Sequence, residues 1–289
     1  MSSPSPATGL WPETRSTFTV GGGALTAVLL ADRGGKIASL RTADGHEWLA
    51  QPREVLPAPS RHGAVFTEAE MCGWDECAPT IDACSWAGRA VPDHGDLWSA
   101  DWQVLAATAT AVTMRATGSS LNYALERTVT ATPRGIRLDY AATTTDDTVP
   151  FLWAAHPQFA APEGARVRLL GVREVVDVAE PTTRLAWSDD LASLRGTGSS
   201  RKLYVAPNER VSSAALVLAS GRELRLSWSS ACSYLGLWFD NAAYSRESVI
   251  AIEPSTGYLD SLERAAAAGL VAKINRERPL TWSLAIETA

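Results

Sequence analysis

Glycine-marked corners divide much of this chain into pairs of short apolar runs, and that punctuation restricts the fold more than any other feature. D-R-G-G joins Ala24–Ala31 to Lys36–Thr42, P-R-G joins Leu121–Thr132 to Ile136–Thr143, and S-G-R joins Ala215–Ala219 to Glu223–Trp228. Short glycine-containing links between two such runs are hairpin signals. Ile136, Leu138 and Tyr140 alternate with polar residues, the period of a strand that buries one face. Further strands are expected over Asp101–Ala106, Val112–Ala116, Val167–Leu170, Tyr234–Phe239, Ser248–Ile252 and Leu280–Ile286. One helix is expected: Asp260 or Ser261 can cap Leu262–Ala268, and Gly269 can end it. Many strands without βαβ alternation predict an all-β sandwich or barrel. No repeat or low-complexity linker divides the chain. We therefore expect one domain over residues 19–289, preceded by a poorly ordered extension over residues 1–18.

Composition narrows the function. Of 289 residues, 46% are hydrophobic and 20% charged, as in a soluble protein with a substantial core. The net charge is -6 and no basic run exists, which argues against a nucleic-acid partner, because phosphate contacts need clustered Lys and Arg. The early apolar run Ala24–Ala31 is interrupted by Thr26 and falls far short of the ~20 residues of a membrane span. The start, M-S-S-P-S-P-A-T-G, has neither a basic segment nor an apolar signal core, so a cytoplasmic location is expected. Cys72, Cys77 and Cys84 are spaced C-x4-C-x6-C, which is not a zinc spacing. We expect them and Cys232 to be free thiols, and no metal or organic cofactor.

Three segments carry the chemistry. The chain has four histidines, and two stand beside Gly or Pro and aromatic residues: His94 in P-D-H-G-D-L-W and His156 in W-A-A-H-P-Q-F. Glu253 follows a Val-Ile-Ala-Ile run, where a carboxylate is out of place unless the strand ends at a site or pairs it with an arginine across the sheet. A carboxylate and an imidazole, with ordinary pKa values of ~4.3 and ~6.5, can serve as base and acid near neutrality. Converting one anomer of an aldose into the other needs those two groups. A base takes the proton from the C1 hydroxyl while an acid protonates the ring oxygen; the ring opens, the C1–C2 bond rotates, and closure reverses the roles.

The motifs G-G-K-I-A-S-L (34–40), G-W-D-E-C-A-P-T-I (73–81), P-D-H-G (92–95), A-H-P-Q-F (155–159) and I-E-P-S-T-G (252–257) occur in the order found in aldose 1-epimerases. From about residue 20 to its end, the chain resembles these galactose mutarotase-like proteins. The resemblance implies a β-supersandwich with a monosaccharide bound in a groove across one sheet. It implies Glu253 as general base, His156 as general acid, and His94 as a holder of the ring oxygen or a neighbouring hydroxyl. Trp74, Asp75 and Glu76 fall where family members contact substrate, and Trp238 can offer an aromatic face to the sugar ring.

The departures bear on the substrate. Galactose mutarotases carry an Asn-Arg pair where this chain has Trp74-Asp75-Glu76. Hexose-phosphate epimerases of this fold often place an arginine after their H-G, where this chain has Asp96-Leu97-Trp98. A phosphosugar needs such cations, although Arg61 and Arg89 lie nearby. Two further readings stand beside the mutarotase: a sugar-binding or sensing protein without turnover, and an epimerase acting on a specialised sugar. The oligomeric state is not readable from the sequence.

Overall fold

The structure is a computed structural model that describes residues 10–11, 16–56 and 58–288. Two large antiparallel sheets account for most of it. The first has eleven strands. Its order runs Thr17–Val20, Leu25–Leu30, Lys36–Thr42, Trp74–Cys77, Ala154–Pro157, Ser248–Ser255, Tyr234–Asn241, Ser199–Val205, Glu174–Asp177, Arg184–Ala186, with Phe159–Ala160 also paired to Ser248–Ser255. The second has eight strands, and its centre is Glu223–Trp228, Leu280–Thr288, Gly135–Thr143 and Ala124–Thr132. The three glycine-marked hairpins are present, each with antiparallel pairing between its arms.

Period-2 patterning decides what faces where. In Ser248–Ser255, Ile250 and Ile252 enter the apolar core, so Glu253 is left on the opposite face. In Tyr234–Asn241, Leu235, Leu237 and Phe239 enter the same core, and Gly236 and Trp238 face the other way. That core is continuous with Leu138, Leu284 and Ile286 of the second sheet. Each such fully buried aliphatic side chain contributes ~1.5–3 kcal/mol, which fixes the register and with it the face on which each polar residue emerges.

The helix spans Leu262–Ala267, and Ser261 is its cap, its Oγ accepting from the Arg264 amide at 3.4 Å. Asp260 is thereby released for other contacts. No helix among the described residues is long and apolar enough to cross a membrane. The first strand begins at Thr17, ahead of the boundary expected at residue 19. Most of the expected extension, residues 1–9 and 12–15, lies outside the described residues. Trp11, however, is buried, and its indole donates to Gln51 Oε1 at 2.9 Å. All four cysteines are free; burial pushes the thiol of Cys72 up to about 12.

Candidate active site

Adjacent strands of the eleven-stranded sheet set the polar groups side by side. Asp75 and His156 are register partners. The pairs Ala154–Ser255 and Phe159–Ile250 bracket His156 and Glu253 and put them opposite each other. Glu253 is in turn opposite Gly236, and Gly236 opposite Tyr204. Asp75, His156, Glu253 and Tyr204 thus form one row on the face away from the interlayer core. Glu253 does not end its strand, as the apolar run suggested, but lies inside Ser248–Ser255. His156 likewise sits in a strand, Ala154–Pro157, and not in a corner.

His94 reaches this row from a loop. Its φ is +57°, a left-handed conformation that few non-glycine residues adopt. The neighbouring Gly95 has φ +74°, and a Cβ there would stand 2.0 Å from the Ala78 carbonyl oxygen. Only glycine fits that approach, so the H-G pair is a local necessity of the turn. Asp93 Oδ1 is 2.9 Å from His94 Nδ1, and the His94 ring stacks on Phe66 at 3.9 Å between centroids. Burial works against the Asp93 carboxylate, but the His94 contact and the Phe66 amide hold it below its usual range. The His94 and His156 rings then meet edge to face at 5.3 Å.

Glu253 is fully buried, and its two oxygens differ. Oε2 accepts from the Lys202 ammonium, so a cross-sheet cation is present, and it is a lysine rather than the arginine considered as the alternative. Oε1 has no hydrogen-bond partner and lies 3.9 Å from His156 Nε2, too far for a hydrogen bond. Burial raises the Glu253 carboxyl above its ordinary value, against the pull of Lys202. Burial, with the charges of His94, Lys202 and Lys36, holds His156 well below its own. His156 lines the groove, and the unexposed Glu253 stands behind it, so an imidazole at the groove and a carboxylate oxygen without a protein partner lie close together. The groove is open to solvent and has Trp238, Phe66, Met71 and Tyr244 among its walls. Trp238 is half-buried, its ring 5.8 Å from that of His156 and its indole bonded to Ser200 Oγ at 3.0 Å.

The structure does not bring Trp74 and Glu76 to the groove. Trp74 is fully buried in the interlayer core against Phe159. Glu76 points the same way and accepts from Arg127 Nη1 at 2.6 Å, the Tyr140 hydroxyl at 2.9 Å and the Trp153 indole at 2.7 Å. Alternation on Trp74–Cys77 forces this, since neighbours on a strand take opposite faces. Asp75 is on the same face as His156 and Glu253; its Oδ2 is held by Lys36 Nζ at 2.5 Å, and its Oδ1, like Glu253 Oε1, has no partner. Burial raises its carboxyl to about 6, with Lys36 opposing. Asp96 is buried and takes hydrogen bonds from Ser119 and Ser120, so it shapes the loop and not the groove. Lys202, Asp260 and Phe66 all line the groove, and sequence reasoning missed them. Lys202 lies between Arg201 and Leu203 in an unremarked strand, and Phe66 opens a three-residue 3-10 turn, Phe66–Glu68, so neither carries a spacing signal.

Among the described residues, no three His, Cys, Asp or Glu side chains are grouped to hold a metal ion. A second recess, which shares Met71 with the groove, is lined by Gln51, Glu70 and Arg246 and has no histidine among its described residues.

A family model described as aldose 1-epimerase matches residues 16–256. Among curated proteins, no sequence matches. Solved structures share the fold at low identity. The Slr1438 protein of Synechocystis sp. PCC 6803 is 15% identical, with 96% of this chain and 97% of that chain covered and a TM-score of 0.75. A galactose mutarotase-like protein from Lactobacillus casei ATCC 334 is 18% identical over 94% of this chain and 100% of that one, with a TM-score of 0.68. An aldose epimerase homologue from C. elegans is 14% identical over 94% and 98%, with a TM-score of 0.65. The match over most of the chain agrees with the order of the five motifs and with the β-sandwich architecture: the chain belongs to the aldose 1-epimerase family.

Proposed function

We propose that this protein is an aldose 1-epimerase that interconverts the α and β anomers of a monosaccharide. Glu253 Oε1 takes the proton of the C1 hydroxyl, and His156 delivers one to the ring oxygen. After rotation about C1–C2, the two groups exchange roles and close the ring. The observation that carries this reading is the unpartnered Oε1, 3.9 Å from Nε2 of His156, which lines the groove. His94, locked by Asp93 and Phe66, holds the ring oxygen or a neighbouring hydroxyl, and Trp238 supports the apolar face of the ring. Lys202 is already engaged by Glu253 and by Asp260 at 3.4 Å, which favours an uncharged sugar over a phosphosugar.

The test is saturation-transfer NMR on the anomeric protons of a panel of free sugars, with wild-type and Glu253→Gln protein in parallel. Exchange with wild type that vanishes in the variant is the expected result. Binding without exchange for every sugar would instead make this a sugar-binding protein without turnover.

A further inference from the structure

Lys202 takes no part in the proton transfers described above, yet it makes the closest polar contact of the base. Its strand, Ser199–Val205, is not adjacent to that of Glu253; Tyr234–Asn241 lies between them. The lysine spans an intervening strand to reach Oε2, and Gly236 leaves the space. A Cβ at Gly236 would stand 3.1 Å from both Glu253 Oε2 and the Tyr204 ring. Lys202 is itself 15% exposed at its side chain and lines the groove. It is therefore part of the groove wall and not an interior strut.

We infer that Lys202 is a positioning residue for Glu253: by holding Oε2 it leaves Oε1 turned toward His156 at the groove and keeps the carboxylate in its proton-accepting form. The inference rests on reading Glu253 as the base. Lys202 and Tyr204 face Glu253 from one side. His156 and Cys77 do so from strands on the other, Asp260 from the segment after its own strand, and His94 from the loop. Burial pushes the carboxyl up, and Lys202 is the principal charge opposing that rise. Lys202 also helps hold His156 down, after burial and His94. Removing its charge moves both groups in the same direction. Opposite charges at this range shift a carboxylate by ~1–3 pH units, so the whole pH–rate profile is expected to move to higher pH.

The experiment measures kcat/KM for anomer exchange against pH in the full chain, for wild type, Lys202→Met and Lys202→Arg. Carbon-13 NMR titration of the Glu253 carboxyl, assigned through Glu253→Gln, runs alongside. In Lys202→Met both limbs and the carboxyl titration should move up by about one unit or more, and Lys202→Arg should restore them. If Lys202→Met does not fold, Lys202→Gln carries the same expectation. A variant that is slower but has both limbs and the carboxyl titration in place would overturn the positioning role alone. A wild type that exchanges no sugar would overturn the proposed function, and this role with it.

Discussion

Two glutamates, Glu76 and Glu253, are each fully buried in the same sheet, and each is paired with a cation. Glu76 faces the second sheet. Arg127, Tyr140 and Trp153 satisfy both of its oxygens, and Arg127 is as buried as its partner. Glu253 lies on the other face of the sheet beside the groove-lining His156, keeps one oxygen without a partner, and has a cation that is partly exposed. Both carboxyls are raised by burial. On the proposed reading of Glu253 as the base, burial and a charge partner do not distinguish a structural carboxylate from a reactive one. The difference is the unfilled acceptor and the direction in which it points, because a buried acceptor without a partner is costly unless something else occupies it.

The same substitution at the two positions should divide cleanly. Glu253→Gln is expected to cost ~10²–10⁴-fold in anomer exchange, with little change in the denaturation midpoint. Glu76→Gln leaves Arg127 uncompensated among apolar residues. It should lower stability by ~3–5 kcal/mol in urea unfolding, while the rate per folded molecule is retained. A Glu76→Gln protein that is stable but inactive would reverse the assignment of the two carboxylates.

The pH profile sharpens the contrast further. Rate rises as Glu253 loses its proton and falls as His156 loses its own, and kcat/KM reports both groups in the free protein. Glu253 is raised from 4.5 and His156 lowered from 6.5, so the bell should be narrower than the interval between those two values. A broad plateau across that interval would mean that other groups carry the protons. The smallest expected effect is at the wall. Trp238→Ala removes a contact of ~0.5–1.5 kcal/mol, roughly 2- to 12-fold, and should appear in KM with kcat nearly unchanged.

The strands most legible in the sequence were the hairpins of the second sheet, such as Ala124–Thr132 with Gly135–Thr143. There one face is buried, the other is wetter, and turn glycines mark the corner. The strands Trp74–Cys77, Ala154–Pro157 and Ser199–Val205 were not read from pattern, although they carry Asp75, His156 and Lys202. The first two are buried on both faces, and Ser199–Val205 is exposed mainly at its start, so the period-2 signal is lost or weak. The site was legible by another route, because His94, His156 and Glu253 are chemically conspicuous in their motifs. Trp74 and Glu76 stand in the same motif as Asp75 but on the opposite face, a difference that depends on knowing that the segment is a strand.

By itself the sequence determined the class of fold, the hairpin corners, the helix after Ser261, and the candidate His–His–Glu set, because local turn chemistry and side-chain type are written residue by residue. Only the tertiary structure decided that Glu253 and not Glu76 has an acceptor to spare, that Lys202 reaches Glu253 past Gly236, and that Asp93 and Phe66 lock His94. Those contacts join residues brought together by strand register and loop packing, and register depends on the pairing of whole strands across the sheet.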